Sequence, residues 1–156
     1  MKILIYGYGN PGRQDDGLGI FFAEELETWS INEGLKDITF DSNYQLNAED
    51  ALLVKDNDII IFADAAAKQE EAYKFRQIEP GERISFSTHA MSPESLLAFC
   101  KEIYSKTPPT FIMTIKAKAW EINGELTPEA KEYLNIALEF IKPLLKSPEK
   151  LKVFTN

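Results

Sequence analysis

The chain has 156 residues, 44% of them hydrophobic, which suits the core of one domain spanning residues 1–156. Its formal net charge of −8 at pH 7 disfavours nucleic acid or an anionic membrane as a partner, because both require a basic surface. The single cysteine, Cys100, excludes an intrachain disulfide, and we identify neither a signal peptide nor an apolar run long enough to span a bilayer. We therefore expect a cytoplasmic protein.

The first part of the chain alternates strand patterns with helical ones. The apolar run 2–6 predicts a strand buried on both faces, and from Gly17 the apolar residues recur at helical spacing. A second strand is predicted over 37–44, a short helix over 47–55 and a buried strand over 58–63.

The second part continues the alternation. Residues 74–86 predict two short strands around a Pro-Gly turn, and a helix should begin at Ser92. A strand is predicted over 110–117, a hairpin over 120–126 and a final helix from Thr127. Strands that alternate with helices predict an α/β fold, with a twisted, mostly parallel sheet flanked by helices on both faces in three layers.

Three polar residues stand at predicted carboxyl ends of strands. Asp16 closes the loop after the first strand, Asp64 directly follows the strand 58–63, and His89 is the only histidine. Ligands of parallel sheets bind beyond these strand ends, so the three side chains could converge in one crevice. Two carboxylates and an imidazole suit zinc, nickel or another borderline divalent metal, and the same trio could instead perform acid–base chemistry.

Each member of the trio also has a structural alternative. Asp16 could cap the helix that begins at Gly17, where the exposed N–H groups favour an anion. Asp64 could be a turn residue, and a single histidine near a helix start is often structural. Their shared position at strand ends favours a joint function.

The loop after the first strand has the spacing of a dinucleotide-binding fingerprint. Gly7, Gly9 and Gly12 match GxGxxG within the stretch GYGNPGRQDDGLG. However, Asp15 and Asp16 stand where the charge of a pyrophosphate would lie. A nucleotide-binding Rossmann-like domain is therefore the weaker interpretation.

The same stretch resembles the GxGNxxxxD[DE]GxG signature of the hydrogenase maturation proteases. The matching residues are Gly7, Gly9, Asn10, Asp15, Asp16, Gly17 and Gly19. Two further landmarks of that family are present: the strand ending in Asp-Ala, IIIFADAA, contains Asp64, and the Thr-His pair in STHAMSPESLLAF contains His89.

The resemblance implies a three-layer, phosphorylase/hydrolase-like fold and a nickel-dependent endopeptidase. Such an enzyme removes a C-terminal peptide from the precursor of a [NiFe]-hydrogenase large subunit. The resemblance further implies that Asp16, Asp64 and His89 contact nickel carried by the precursor, which is the expected partner, and that no permanent cofactor is held. A non-catalytic maturation factor that binds the metal or the precursor is the alternative from another class.

Further residues take expected roles from the same resemblance. Asp41 lies where the family often has another aspartate, so Asp16 or Asp41 could act as a general base, unless the metal itself activates the water. Gly7, Gly9, Asn10 and Gly17 are expected to shape the loop.

Overall fold

A computed structural model describes residues 1–84 and 91–155. The strands and helices are β1 (Ile3–Tyr8), α1 (Leu18–Asn32), β2 (Ile38–Asn43), α2 (Ala51–Lys55), β3 (Ile59–Ala66), β4 (Tyr73–Ile78), α3 (Pro93–Tyr104), β5 (Thr110–Lys116) and α4 (Pro128–Lys146). Short 3-10 helices cover Gln14–Gly17, Ala48–Asp50 and Pro148–Phe154. Among the described residues, none of the helices has both the length and the apolar character that crossing a bilayer requires.

The strands form one five-stranded sheet in the order β2-β1-β3-β5-β4. Neighbouring strands are parallel except that β4 runs antiparallel to β5. β1 and β3 lie inside the sheet, as their unbroken apolar runs predict, because such strands are buried on both faces. The predicted mostly parallel α/β sheet is confirmed.

Two hydrophobic clusters cover the two faces of the sheet. Successive side chains of a strand point to opposite faces, so β1 contributes to both clusters. On one face Ile3 and Ile5 pack with α1 and α4, and on the other face Leu4 and Tyr6 pack with α2 and α3. The predicted three layers are therefore present.

Both central strands extend further than their sequence patterns predict. β1 continues through Gly7 to Tyr8, which pairs with Asn43 of β2, and β3 continues to Ala66, which pairs with Lys116 of β5. Pairing with neighbouring strands keeps Gly7 and Ala66, which are weak strand formers, in the sheet. Asp64 therefore lies within β3, close to its carboxyl end, rather than directly after it.

Two predicted elements differ from the structure. Only one strand, β4, is found in the described part of 74–86, whose last residues lie outside the described ranges. No strand forms over 120–126, although the chain turns at Asn123 with φ of 63°. The Asn123 amide bonds the Gly12 carbonyl at 2.8 Å and the Trp120 carbonyl accepts from Arg13 Nε at 3.2 Å, so this segment binds the loop after β1 instead of pairing with itself.

Candidate active site

The loop between β1 and α1, residues 9–17, is called the glycine loop below. Gly9 has a φ of 136°, which a side chain rarely tolerates, and a Cβ there would collide with the backbone carbonyl of Asp16. At Gly7, just before the loop, a Cβ would collide with the carbonyl of Gly19. The absence of side chains at both positions therefore lets the chain fold back on the start of α1.

Asp15 is the fully buried anchor of the glycine loop. Its Oδ2 accepts hydrogen bonds from the amides of Lys118 (2.7 Å) and Ala119 (3.1 Å) and from the Thr127 hydroxyl (2.9 Å), while Oδ1 accepts from the Thr127 amide at 2.9 Å. A buried carboxylate is tolerated when it is hydrogen-bonded in this way. Asp15 thus fixes the glycine loop to the connection between β5 and α4.

Asp16 follows this anchor and is only partly buried. Its Oδ2 accepts from the amide of Asn10 at 2.9 Å, across its own loop. The N-cap position of α1 is Gly17, where no side chain caps the helix. Asp16 is therefore not the cap of α1.

The amide groups of the glycine loop are mostly bonded within the protein. Loops of this kind bind phosphate through free backbone N–H groups. The bonded donors are Gly9 to Asn43, Asn10 to Asp16, Gly12 and Arg13 to Asn10, Asp15 to Ala119 and Asp16 to Arg13. These bonds disfavour the nucleotide-binding interpretation.

Asp64 lies near Asp16 at the carboxyl end of β3. Its Oδ1 accepts from the Ala65 amide at 2.8 Å. Burial, and to a lesser extent the nearby Asp16 carboxylate, raises the pKa of Asp64 to about 7. The structure thus brings together two of the predicted site residues, and their mutual repulsion is of the kind that a divalent cation relieves.

Tyr8 is a further residue of this site, and the sequence analysis missed it. Burial and the nearby Asp64 carboxylate raise the pKa of the Tyr8 hydroxyl, and the Tyr8 ring packs edge-on against Phe62 with centroids 6.4 Å apart. The alternation of side chains along β1 could have revealed it, because Tyr8 points to the same face as Tyr6 once the strand extends past Gly7.

Asp41 lies on β2 beside the site and has other neighbours. It is exposed, pairs in register with Tyr6 of β1, and its Oδ1 accepts from the Ser42 amide at 2.7 Å. Its charge acts on Tyr6 and on Asp50, which is hydrogen-bonded to the Tyr6 hydroxyl. Across the described ranges, no contact joins Asp41 to Asp16 or Asp64, so the structure does not bring it together with them.

His89 lies outside the described residues, so the structure does not place it. Within 1–84 and 91–155, no group of three or more histidine, cysteine or acidic side chains is arranged to hold a metal ion. Met91, two residues later, is buried in the cluster that covers the Tyr6 and Phe62 face of the sheet. The chain therefore emerges from the undescribed segment on the same face as Asp64.

Two other features of the fold do not belong to the site. Cys100 is fully buried, and burial raises the pKa of its thiol, which makes it a poor nucleophile. A groove of about 960 Å³ lies between α3 and residues 79–84, and its lining contains none of the site residues. We place the candidate site at the paired carboxylates of Asp16 and Asp64, because such a pair can bind a cation or accept a proton. The groove, by contrast, is a surface concavity.

Among the comparisons with known proteins, only the comparison with solved structures finds matches. No protein-family profile matches the chain, and no curated protein sequence matches it. The [NiFe] hydrogenase maturation protease HycI from Thermococcus kodakarensis KOD1 is 23% identical, with a TM-score of 0.69 over 94% of this chain and 93% of that protein. The hydrogenase maturating endopeptidase HybD from E. coli is 20% identical, with a TM-score of 0.73 over 95% and 94% of the two chains.

A third solved structure agrees with these two. The hydrogenase 2 maturation peptidase from Thaumarchaeota archaeon SCGC_AB-539-E09 is 19% identical, with a TM-score of 0.65 over 93% of this chain and 98% of that one. Nearly the full length of each protein takes part in the match, so the likeness concerns the whole fold. The chain therefore has the fold of the [NiFe]-hydrogenase maturation proteases.

Proposed function

We propose that the chain is an endopeptidase that removes a C-terminal peptide from a nickel-loaded [NiFe]-hydrogenase large-subunit precursor. The observation that carries the proposal is the pair of carboxylates, Asp16 and Asp64, at the carboxyl edge of the sheet. They belong to two of the three sequence landmarks and lie within the fold of proteins that are named as a hydrogenase maturation protease and a hydrogenase maturating endopeptidase. Its setting would be the cytoplasm, with residues 1–156 acting as one domain.

In this proposal nickel is part of the substrate. Asp16, Asp64 and His89 contact the metal that the precursor carries, because oxygen and nitrogen donors suit nickel. The raised pKa of Asp64 supports such a role, since a cation beside the two carboxylates would favour their charged forms. A precursor without nickel would lack this attraction, so the contact also reports that metal insertion is complete.

Hydrolysis then requires a water molecule and a base. Nickel, when bound, supplies a positive charge that can polarise the scissile carbonyl or the attacking water. A carboxylate of this chain accepts the proton of the water as the water attacks the scissile carbonyl, and returns a proton to the nitrogen of the leaving peptide as the C–N bond breaks. Asp16 is the better-placed base, since it lies beside Asp64, whereas Asp41 could act only on a substrate that extends over β2.

The decisive experiment compares precursor with and without nickel. The purified chain is mixed with the large-subunit precursor encoded in the same genome, and mass spectrometry follows the loss of the C-terminal peptide. We expect cleavage of the nickel-loaded form only. Equal cleavage of both forms would contradict the recognition of nickel, while tight precursor binding without cleavage would indicate the non-catalytic maturation factor.

Variants identify the residues. Asp16→Asn and Asp64→Asn should each lower the cleavage rate by at least about 100-fold, because each removes a charge that faces the metal or the water. Asp56→Asn is the matched control, since this exposed carboxylate lies at the end of α2 with Lys55 as its partner at 3.4 Å. Full activity of either site variant would contradict the assigned roles.

A further inference from the structure

β2 forms one edge of the sheet, and its outer side is unpaired. The strand order places β1 on its inner side, and no other strand of the described residues lies beside it. Edge strands are commonly protected by lysine, proline or a covering element, because their free main-chain groups attract other strands. The sequence of β2, ITFDSN, includes neither lysine nor proline, and the side chains from Asp41 to Asn43 are exposed. The outer side of β2, residues 38–43, is called the β2 edge below.

The hydrogen bonds between β1 and β2 use every second residue of β2. The Ile3 amide donates to the Asp37 carbonyl at 2.9 Å, and the Gly9 amide donates to the Asn43 carbonyl at 3.2 Å. Main-chain groups of successive strand residues point to opposite sides, so the odd-numbered residues of β2 face β1. The groups that point away from the sheet are the amides and carbonyls of Ile38, Phe40 and Ser42.

Two outward amides at the carboxyl end of β2 are already bonded by neighbouring side chains. Asp41 Oδ1 accepts from the Ser42 amide and Asn43 Oδ1 accepts from the Tyr44 amide, both at 2.7 Å. Within the described ranges, the outward amides earlier in β2 have no such partner. The amino half of the β2 edge therefore offers both donors and acceptors to an added strand.

The β2 edge leads to the candidate site. Asn43, at its end, pairs with Tyr8 of β1. The preceding residue of β1, Gly7, pairs with Ala63 of β3, and Asp64 follows directly. Neighbouring strands lie about 4.8 Å apart, so a strand added to the β2 edge would run about 14 Å from β3, which roughly four residues of extended chain can cross. One peptide can therefore occupy the site and the β2 edge together.

A small acidic cavity lies beside the β2 edge. It has a volume of about 160 Å³ between α1 and β2, and its lining includes Glu24, Glu27 and Asp41. None of these three carboxylates forms an ion pair with a cation of residues 1–84 or 91–155. An extended peptide on the β2 edge can place a lysine or arginine side chain there, since complementary charges favour binding.

We propose that the β2 edge binds the C-terminal tail of the precursor as an added antiparallel strand. The inference rests on the proposed function, because it names the segment of that substrate which the edge holds. The precursor before the scissile bond belongs to the nickel-bearing subunit, whereas the tail beyond the bond is free to extend. From the site the tail runs toward Ile38, opposite to β2. Main-chain hydrogen bonds hold it, and the acidic cavity takes a basic side chain.

Ser42→Pro tests the added strand, with Ser42→Ala as the matched control. Ser42 is exposed and its amide points away from β1, so proline keeps the sheet but places its ring where another strand would lie. Fluorescence anisotropy measures binding of a labelled synthetic copy of the tail, and cleavage of the nickel-loaded precursor gives kcat/KM. Ser42→Pro should lower tail affinity and kcat/KM by at least about 10-fold. Ser42→Ala keeps the amide and should stay within about twofold of the wild type.

Two glutamates of α1 test the acidic cavity. Glu27 lines it, whereas Glu25 is an exposed carboxylate of the same helix that does not. Glu27→Gln should weaken tail binding by about two- to fivefold at low salt and by less at high salt, because salt screens exposed charges. Glu25→Gln should leave tail binding unchanged. Equal effects of the two variants, or a tail without lysine and arginine, would contradict the charge preference.

Hydrogen exchange gives a readout that does not depend on a variant. Binding of the tail to the wild type should slow exchange of the Ile38 and Phe40 amides, since these amides then donate to the tail. Slow exchange at high protein concentration without the tail would indicate pairing between the β2 edges of two copies, and would overturn the proposal. Equal tail affinities of Ser42→Pro and Ser42→Ala would overturn it as well.

Binding and cleavage separate this proposal from the proposed function. A wild type that binds the tail and protects the Ile38 and Phe40 amides, but cleaves no precursor, would overturn the endopeptidase alone. A wild type that cleaves the precursor without protecting these amides would overturn the added strand alone. A wild type that does neither would overturn both.

Discussion

At the scale of single residues, adjacent aspartates have opposite surroundings. The Asp15 carboxylate is fully buried and bonds three main-chain amides and one hydroxyl, whereas the Asp16 carboxylate is partly exposed and bonds one amide. The first arrangement holds the backbone, and the second leaves a charge available. The adjacent letters DD in the sequence therefore encode a buried anchor followed by a partly exposed carboxylate.

Asp15→Asn should destabilise the protein strongly. In the wild type the charged Asp15 carboxylate accepts from these donors, and the substitution replaces it with a neutral amide. Hydrogen bonds to charged groups are worth about 1.5–3 kcal/mol each. We expect the free energy of unfolding to fall by about 2–4 kcal/mol in urea titrations. Asp16→Asn is the control and should change it by less than about 1 kcal/mol. Equal effects of the two variants would contradict the anchoring role.

Asp64 should make stability depend on pH. The pKa of Asp64 in the folded state, about 7, lies above the usual value. Its contribution to the free energy of unfolding is therefore full below about pH 4 and is lost as the pH rises through 7. Asp64→Asn cannot ionise, and its free energy of unfolding should exceed that of the wild type increasingly from pH 4 to 8, by at most a few kcal/mol. Denaturation at several pH values measures the difference. A constant difference would show that Asp64 ionises normally.

At the scale of elements, the sequence indicates strands more reliably than their ends. The runs 2–6 and 58–63 identify β1 and β3, because unbroken apolar stretches of this length are typical of buried strands. Their extensions to Tyr8 and Ala66 depend on pairing with β2 and β5, which no local pattern encodes. Tyr8 was missed for this reason.

The side chain of Thr127 links the start of α4 to the glycine loop. The Thr127 hydroxyl donates to Asp15 Oδ2 at 2.9 Å and accepts from the Ala130 amide at 3.2 Å, so it caps the helix and supports the loop together. Thr127→Val keeps the shape and loses both bonds, and should lower the free energy of unfolding by about 1–3 kcal/mol. Thr127→Ser keeps the hydroxyl and should be close to the wild type in thermal denaturation. Similar losses in both would contradict the role of the hydroxyl.

At the scale of the whole molecule, the layer order was predictable and the assembly of the site was only partly so. Alternating strand and helix patterns predict the three layers, and the position of Asp16 and Asp64 near strand ends predicts their meeting. The placement of Asp41 beside Tyr6, by contrast, follows from the register of β2 on β1. The partners of Asp15 lie 103 to 112 positions away, where sequence patterns carry no information about contact.

Nickel should stabilise the folded molecule as a whole. A ligand that binds only the folded state adds about 2.7 kcal/mol to the free energy of unfolding when its concentration is 100 times its dissociation constant. Nickel chloride should therefore raise the Tm of the wild type, and Asp64→Asn should remove most of that increase. Calcium chloride at equal concentration controls for ionic strength. The same Tm increase in Asp64→Asn would place the bound nickel elsewhere.

The hydrogen bonds that Asp15 makes to residues far away in the sequence also constrain when the glycine loop can take its final conformation. The glycine loop is made early, but the amides and the hydroxyl that fix it belong to residues 118–127. During synthesis the loop cannot be held by these hydrogen bonds until most of the chain has left the ribosome. Contacts between residues distant in sequence form only after the intervening segment is available. A nascent chain that ends before Thr127 would expose Asp16 without its supports. The candidate site therefore reaches its final geometry only after residues 118–127 have been made.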